Sequence, residues 1–261
     1  MRCNDPFLSY LKTFGYCVVR LPKADINPLQ IHAKRGNTLE RLGELTTLFQ
    51  TGSNISLPSM RKNTLSADIS GKRTSDLSIG LGLSLLESIL GAMGGLSFDL
   101  HTKYQQASSI VFGFHDVLED KIELAELDQY LADADVNPFS RYVGELLDAD
   151  NVYVTTATIK SRKFTVEAKK SDSTTLDLSI PTIQEIVGGS VKVSGQADIT
   201  SKLTYEGSVP LIFGFKAVQL FYDRGEYTTL EPTESGVSMR HGGASVKMLE
   251  TEGPFLRFSG N

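Results

Sequence analysis

The most informative pattern in the chain is a stretch that fits two hydrophobic periods at once. Leu77, Ile79, Leu81, Leu83 and Leu85 alternate with Ser78, Gly80, Gly82 and Ser84, the two-residue period of a strand with unlike faces. Leu86, Ile89, Leu90 and Met93 follow at helical spacing, so 83–94 also reads as a helix. Alternation resumes with Leu96, Phe98 and Leu100 against Ser97, Asp99 and His101. The segment 76–104 therefore fits strand, helix, strand or a single long hairpin, and the pattern leaves both open. A second region, 151–170, is rich in Val, Thr, Ile and Phe with basic residues interspersed. Beyond the turn-forming Ser171-Asp172-Ser173, the residues Leu176, Leu178 and Ile180 alternate with Asp177 and Ser179. Strand character continues through 190–223.

Helices are predicted elsewhere. Asp5 can cap and Pro6 suits a first helical position, with Phe7, Tyr10, Leu11 and Phe14 on one face before Gly15. The run 16–22 then reads as a strand stopped by Pro22. Residues 38–50 predict a helix with Leu39, Leu42, Leu45 and Leu48 or Phe49 inward, the acidic run 119–136 an amphipathic helix, and 137–147 a shorter one. After Asp223 the composition turns to Gly, Ser, Thr and Glu, with apolar anchors Met248, Leu249, Phe255, Leu256 and Phe258 near the end. This reads as an exposed linker and a docking tail. The predicted fold class is α+β, a twisted antiparallel sheet with surrounding helices, divided into a domain 1–223 and a linker with tail at 224–261.

Composition narrows the function. A net charge of −5 makes nucleic acid an unsuitable general partner. The charge is uneven: residues 1–110 carry 12 Lys and Arg against 8 Asp and Glu, while 111–150 carry 2 against 11. A basic N-terminal part could meet an anionic surface while the acidic middle faces away, although solvated surface explains the same numbers. Two cysteines are too few for a disulfide scaffold and fit a reducing compartment. Cys17 reads as a small strand residue, whereas Cys3 fits a bystander, a redox thiol or a lipid attachment point. No signal-peptide pattern precedes Cys3, and the longest apolar or glycine run, 89–96, is far short of the roughly 20 residues a spanning helix needs. His32, His101, His115 and His241 lack metal-ligand spacing, and no nucleophile or phosphate-loop motif occurs. No catalytic residue, metal site or cofactor is expected.

Two quoted stretches carry a family resemblance. The opening DPFLSYLKTFGYCVVRLPKADINPLQ, with a cysteine in the first few residues, resembles the short bacterial gasdermins. VYVTTATIKSRKFTVEAKK, LDLSIP and SVPLIFGFKAVQL resemble the second hairpin region of animal gasdermins and the strand after it. The resemblance runs in order over most of 3–223 and implies a gasdermin N-terminal-domain-like fold. It implies a protein stored soluble in the cytoplasm, cut by an activating protease, and inserted into the inner membrane as a self-oligomeric β-barrel pore. That pore would kill the bacterial cell, as an anti-phage defence. Two hairpins per subunit would insert, roughly 76–86 with 95–108 and 152–168 with 173–187. A spanning barrel strand needs only about 9–11 residues. The lipid-facing residues would be Leu77, Ile79, Leu81, Leu83, Leu96, Phe98 and Leu100, then Val152, Val154, Phe164, Val166, Leu176, Leu178 and Ile180. Ordinary sheet fits the resting state of both regions equally well.

The resemblance also gives Cys3 a role as the site of a palmitoyl group, which would lie in an apolar groove of the protein before activation. One acyl chain anchors only marginally, so membrane lipids would have to engage released hairpins and the basic surface as well. Only 38 residues follow Asp223, so inhibition would come from the tail peptide. Cleavage is expected in 225–250, at Arg240 for a trypsin-like enzyme or Leu249 for another specificity. Two rival readings remain, a soluble sheet protein that binds lipid or a partner without perforating membranes, and an enzyme of unrecognised type.

Overall fold

Val152–Lys169 and Ile199–Asp223 form antiparallel strands of 18 and 25 residues, far beyond the usual five or six. The computed structural model describes residues 15–23, 26–35, 38–51, 55–71, 73–74, 76–95, 100–170, 178–196, 199–223, 225–232 and 255–256. In chain order the elements are β1 (Cys17–Lys23), β2 (Gln30–Arg35), β3 (Thr38–Glu44), α1 (Leu45–Leu48), β4 (Phe49–Thr51) and β5 (Met60–Leu65). Then come β6 (Leu77–Ser78), α2 (Ile79–Ala92), α3 (Leu100–Tyr104), β7 (Ser109–His115), β8 (Leu118–Ile122), α4 (Leu124–Asp133), β9 (Ala134–Val136) and α5 (Arg141–Asp148). The chain continues through β10 (Val152–Lys169), α6 (Ile180–Val187), β11 (Val191–Gln196), β12 (Ile199–Asp223), β13 (Glu226–Pro232) and β14 (Phe255–Leu256).

β10 and β12 are the spine of a 12-stranded sheet. Along its free edge β10 pairs in turn with β2, β8 and β7, while β12 pairs with β11, β1 and β13. Each long strand is thus tiled by three short ones. The β10–β12 register shifts three times, between Thr155 and Ala157, Ile159 and Lys160, and Ser161 and Lys163. These shifts reset which parity faces inward: Val152 and Val154, then Ala157 and Ile159, then Phe164, Val166 and Ala168 are all buried. Pro210 falls where the ladder jumps from Leu211 to Glu206, a place where its missing N–H costs no hydrogen bond to β10.

Two large cores form against the spine. The first joins α2, α3 and α6 to β7, β11 and the 157–168 part of β10, with Phe164 and Tyr205 stacked at 5.2 Å. The second joins α1, α4 and α5 to Val152 and Val154 of β10 and Val218, Leu220 and Tyr222 of β12. A small third cluster, Ile26, Tyr153, Ile212, Phe215 and Ala217, uses spine residues that alternate with those of the second core.

Several expected elements are corrected. Residues 38–44 are strand, not helix, and only Leu45–Leu48 is helical. Gln30–Arg35 and Thr38–Glu44 pair antiparallel from Gln30 with Glu44 to Arg35 with Thr38, and this pairing overrides the leucine spacing. The acidic helix is confined to Leu124–Asp133, because Leu118–Ile122 pairs with both β10 and β5. β1 runs through Pro22 to Lys23, with Pro22 inside a register irregularity. Past Asp223 the sheet continues: β13 pairs with β12 within the segment read as exposed linker. The helix expected at 5–14 lies outside the described residues.

Small residues seat the helices. A Cβ on Gly82 of α2 would stand 2.8 Å from the Cβ of Ile110 on β7, and one on Gly195 would stand 2.8 Å from Cδ1 of Ile180 on α6. Gly91, in the same α2 helix, faces open space. The same substitution should therefore act with opposite signs. Gly91→Ala should stabilise by up to about 1 kcal/mol through helix propensity. Gly82→Ala should destabilise by roughly 1 kcal/mol net, since overpacking costs about 1–3. Urea unfolding measures both, and equal shifts would refute the close seating.

His32 on β2 is buried, with its Nε2 3.0 Å from the Thr155 hydroxyl on β10. Burial, reinforced by the charge of Arg41, lowers its pKa to about 4. The folded state thus holds the ring neutral, while the unfolded chain takes up the proton near pH 6.5. Its contribution is complete above pH 6.5 and is lost as pH falls toward 4, by about 3 kcal/mol at most. Denaturation midpoints of wild type and His32→Gln should converge between pH 7 and 4; parallel pH profiles would exclude this role.

Candidate membrane-inserting segments

The first segment begins as strand and turns at once to helix. Leu77 pairs with Ile110 in β6–β7, and Ile79 opens α2, which runs to Ala92. The strand-like alternation of 77–85 is overridden because Leu83, Leu86, Ile89, Leu90 and Met93 are buried together against the sheet. The helix expected at 83–94 thus starts four residues earlier. Within 95–108, Leu100–Tyr104 is helical rather than strand. Leu77 and Ile79 pack against the first core, and Leu83 and Leu100 lie inside it. Leu81 belongs to α2, while Leu96 and Phe98 lie outside the described residues.

In the second segment the strand 152–168 is β10, paired in this fold with β12, β2, β8 and β7, and residues 173–177 of its expected hairpin partner lie outside the described residues. Residues 180–187 are the helix α6, with Pro181 in its first turn and Ile183 and Val187 buried four apart. A proline at that point suits a helix start and opposes a central strand. Leu178 is buried in the first core, Ile180 begins α6, and Leu176 lies outside the described residues. Phe164 and Val166 are in the first core, whereas Val152 and Val154 belong to the second. The expected set is therefore divided: 164–166 joins the first segment and 152–154 does not.

Sequence reasoning missed the groups that tie the two segments together. The hydroxyls of Tyr104 on α3 and Tyr205 on β12 meet at 2.9 Å in the buried core, and burial pushes Tyr104 up to about 12. The Gln184 amide donates to the carbonyls of Gly188 (2.8 Å) and Val191 (2.9 Å), and its oxygen accepts from the Val193 N–H (2.8 Å), fixing α6 on β11. Lys169 binds Asp76 at 2.7 Å, and Arg73 binds Glu167, so ion pairs join β10 to the approach of β6. The helical spacing of Ile183 and Val187 was the one readable signal among these.

Electrostatics concentrate where β8 meets β10. Asp120 is buried with Lys160 and also accepts the Asn63 N–H at 2.7 Å. On the adjoining residue, Glu119 accepts from the Tyr16 hydroxyl and pairs with Lys121 at 2.8 Å, while Lys216 stands 4.4 Å over the Tyr16 ring. Burial would raise the Glu119 pKa, but hydrogen bonds from Lys121 and Tyr16 and the nearby lysine charges hold it below its usual value. The start of the described chain is thereby fastened to the sheet.

In the 163–169 part of β10 apolar and polar residues alternate, whereas 152–159 is buried on both faces. Phe164, Val166 and Ala168 face the helices, and Lys163, Thr165, Glu167 and Lys169 alternate with them. Among the described residues no helix is long and apolar enough to cross a membrane, which says nothing of crossing by strands. At the other end of the sheet, Phe255 and Leu256 pair in parallel with Val18 and Val19 of β1, and β14 also lies beside β3. Cys3, Arg240, Met248, Leu249 and Phe258 lie outside the described residues.

The model of the Bacterial Gasdermin Family matches residues 19–228. A gasdermin bGSDM from a Desulfuromonadales bacterium is 58% identical over the whole of both chains. Another from Lysobacter enzymogenes is 39% identical over 90% of this chain and 87% of its own. In fold, the chain is similar to a bacterial gasdermin structure from Bradyrhizobium tropiciagri, with a TM-score of 0.57, 16% identity and coverage of 88% of this chain and 90% of that one. Sequence match and sheet architecture agree, and the chain belongs to the bacterial gasdermin family.

Proposed function

We propose that the chain is an autoinhibited pore former whose tail holds it in the resting fold until a protease cuts 225–250. The observation that carries this reading is the double period of 77–94. Its alternating apolar face suits a lipid-exposed strand, yet in the resting fold the segment is a helix packed on the first core. Insertion would exchange that helix packing for strand pairing. The face of Phe164, Val166 and Ala168 now covered by helices would then meet lipid, and Lys163, Thr165, Glu167 and Lys169 would line the lumen. An isolated inserted hairpin leaves strand edges unpaired in hydrocarbon, so further copies of the chain must close the barrel. No catalytic group is needed for this work.

The tail would act through its edge pairing. β14 completes the row beyond β1, and cleavage between it and β13 converts an intramolecular contact into a bimolecular one. A two-residue strand cannot hold once that effective concentration is lost. On this reading 1–223, extended by β13, is the pore-forming part and the remainder is the inhibitory peptide. Arg240 and Leu249 are the proposed cut positions. Acylation of Cys3 would supply a membrane anchor, consistent with a cytoplasmic protein that reaches the inner membrane once cut. Lethal permeabilisation, used against phage, is the biological role this implies.

Dye release from vesicles of phosphatidylethanolamine and phosphatidylglycerol tests the proposal. Full-length chain with a protease site inserted near 240 and Cys3 acylated should leave vesicles intact until cut, then release dye. Leakage without the cut removes the tail from the mechanism. Absence of leakage with cutting confirmed excludes pore formation and favours a lipid- or partner-binding sheet protein.

A further inference from the structure

The polar face of the spine, which the pore reading turns toward the lumen, contains a cleft in the uncut fold. Lys163 is paired directly with His115 of β7, and Thr165 with Thr204 of β12, so these side chains share one face of three adjacent strands. His115, Lys163, Thr165, Lys202 and Thr204 line a cleft of about 240 Å³. Its two cations are weakly engaged. Lys163 lies 3.7 Å from Asp116, a largely exposed carboxylate, and Lys202 forms no ion pair among the described residues. Glu167, directly across from Lys202, is held by Arg73. Glu206, across from Lys163 and from Lys192 of β11, is the remaining carboxylate of this face. The imidazole reports the resulting field: burial first, then Lys163 and Lys202, lower the His115 pKa, against a smaller opposing effect of Asp116.

We propose that this cleft binds a phosphate group between the ammonium groups of Lys163 and Lys202. His115 Nε2 lies 3.2 Å from the Thr165 hydroxyl, whose contact with the Gly113 carbonyl is long at 3.4 Å. With the proton on Nε2, the imidazole donates to Thr165, whose own proton would exchange its long bond to the Gly113 carbonyl for a phosphate oxygen. Thr204 supplies a second hydroxyl. Two point charges on separate strands, with hydroxyls between them, suit a tetrahedral dianion. A planar carboxylate is matched by a guanidinium fork, and none lines this cleft. A phosphate seated here would hold β7, β10 and β12 together and favour the resting sheet by mass action. That consequence rests on the pore reading; the binding does not.

The test uses the intact, uncut chain, so its outcome is independent of leakage. Sodium phosphate and glycerol 3-phosphate are titrated calorimetrically, with sodium chloride at equal ionic strength as the screen for bulk charge. Vesicles with and without phosphatidylglycerol form a parallel sedimentation arm. Lys163→Ala and Lys202→Ala should each weaken binding about tenfold, the loss of one charge-assisted contact, while Lys192→Ala on the neighbouring strand leaves it unchanged. Unchanged melting temperatures without phosphate establish that the variants fold. Saturable binding of the soluble phosphates with this pattern identifies a free phosphate compound. The same pattern confined to phosphatidylglycerol vesicles identifies a lipid headgroup. No saturable binding in either arm, equal effects from chloride, or equal losses in Lys192→Ala overturns the proposal.

Discussion

The fold depends on the pairing of β10 with β12. Because side chains alternate along a strand, a one-residue slip would turn the apolar set of both strands to the opposite face. The three register shifts are part of that constraint. They carry the inward face from Val152 and Val154 through Ala157 and Ile159 to Phe164 and Val166, so one continuous strand serves two cores. The six short strands on the outer edges of the pair then have no freedom of position, since each can bond only where β10 or β12 offers unpaired groups.

The two cores differ in what covers them. The second is covered by α1, α4 and α5, drawn from segments that read as helix. The first is covered by α2, α3 and α6, drawn from segments whose sequence also alternates as strand. Close seating is required there: Gly82 against the Cβ of Ile110 leaves no room for a methyl group, and one on Gly195 would have to displace the end of the Ile180 side chain. Tertiary contacts, rather than the local pattern, hold this segment as a helix. The polar ties across this core, Tyr104 with Tyr205 and Gln184 with β11, fix the resting arrangement because a buried polar group left unpaired is costly.

Charge placement divides the molecule along the same line. The pair Lys160–Asp120 is buried at the register shift between the two cores, where removal of either partner would strand a charge in low dielectric. Glu119 beside it gathers Tyr16, Lys121 and Lys216, joining the beginning of the described chain to the spine. The acidic residues of 111–150 accordingly do more than solvate a helix: two of them brace the sheet.

The sequence alone determined the α+β class, the long strand at 152–168, a short helix expected at 137–147 and found at Arg141–Asp148, and the family, because those segments have one period or one matching pattern. It left 76–104 open, where both periods fit, and misled at 38–50, where leucine spacing reads as a helix but 38–44 is strand. Only tertiary contact resolved them. Burial of Leu86, Ile89 and Leu90 in the first core beside β1 and β7 made the first a helix, and pairing with β2 made the second a strand. The run 119–122 became strand rather than helix for the same reason: it pairs with 157–160 of β10, where Asp120 lies opposite Thr158 and its carboxylate meets the Lys160 ammonium. Periodicity records which faces a segment can offer; which one is used depends on the partner, and the partner lies far away in the chain.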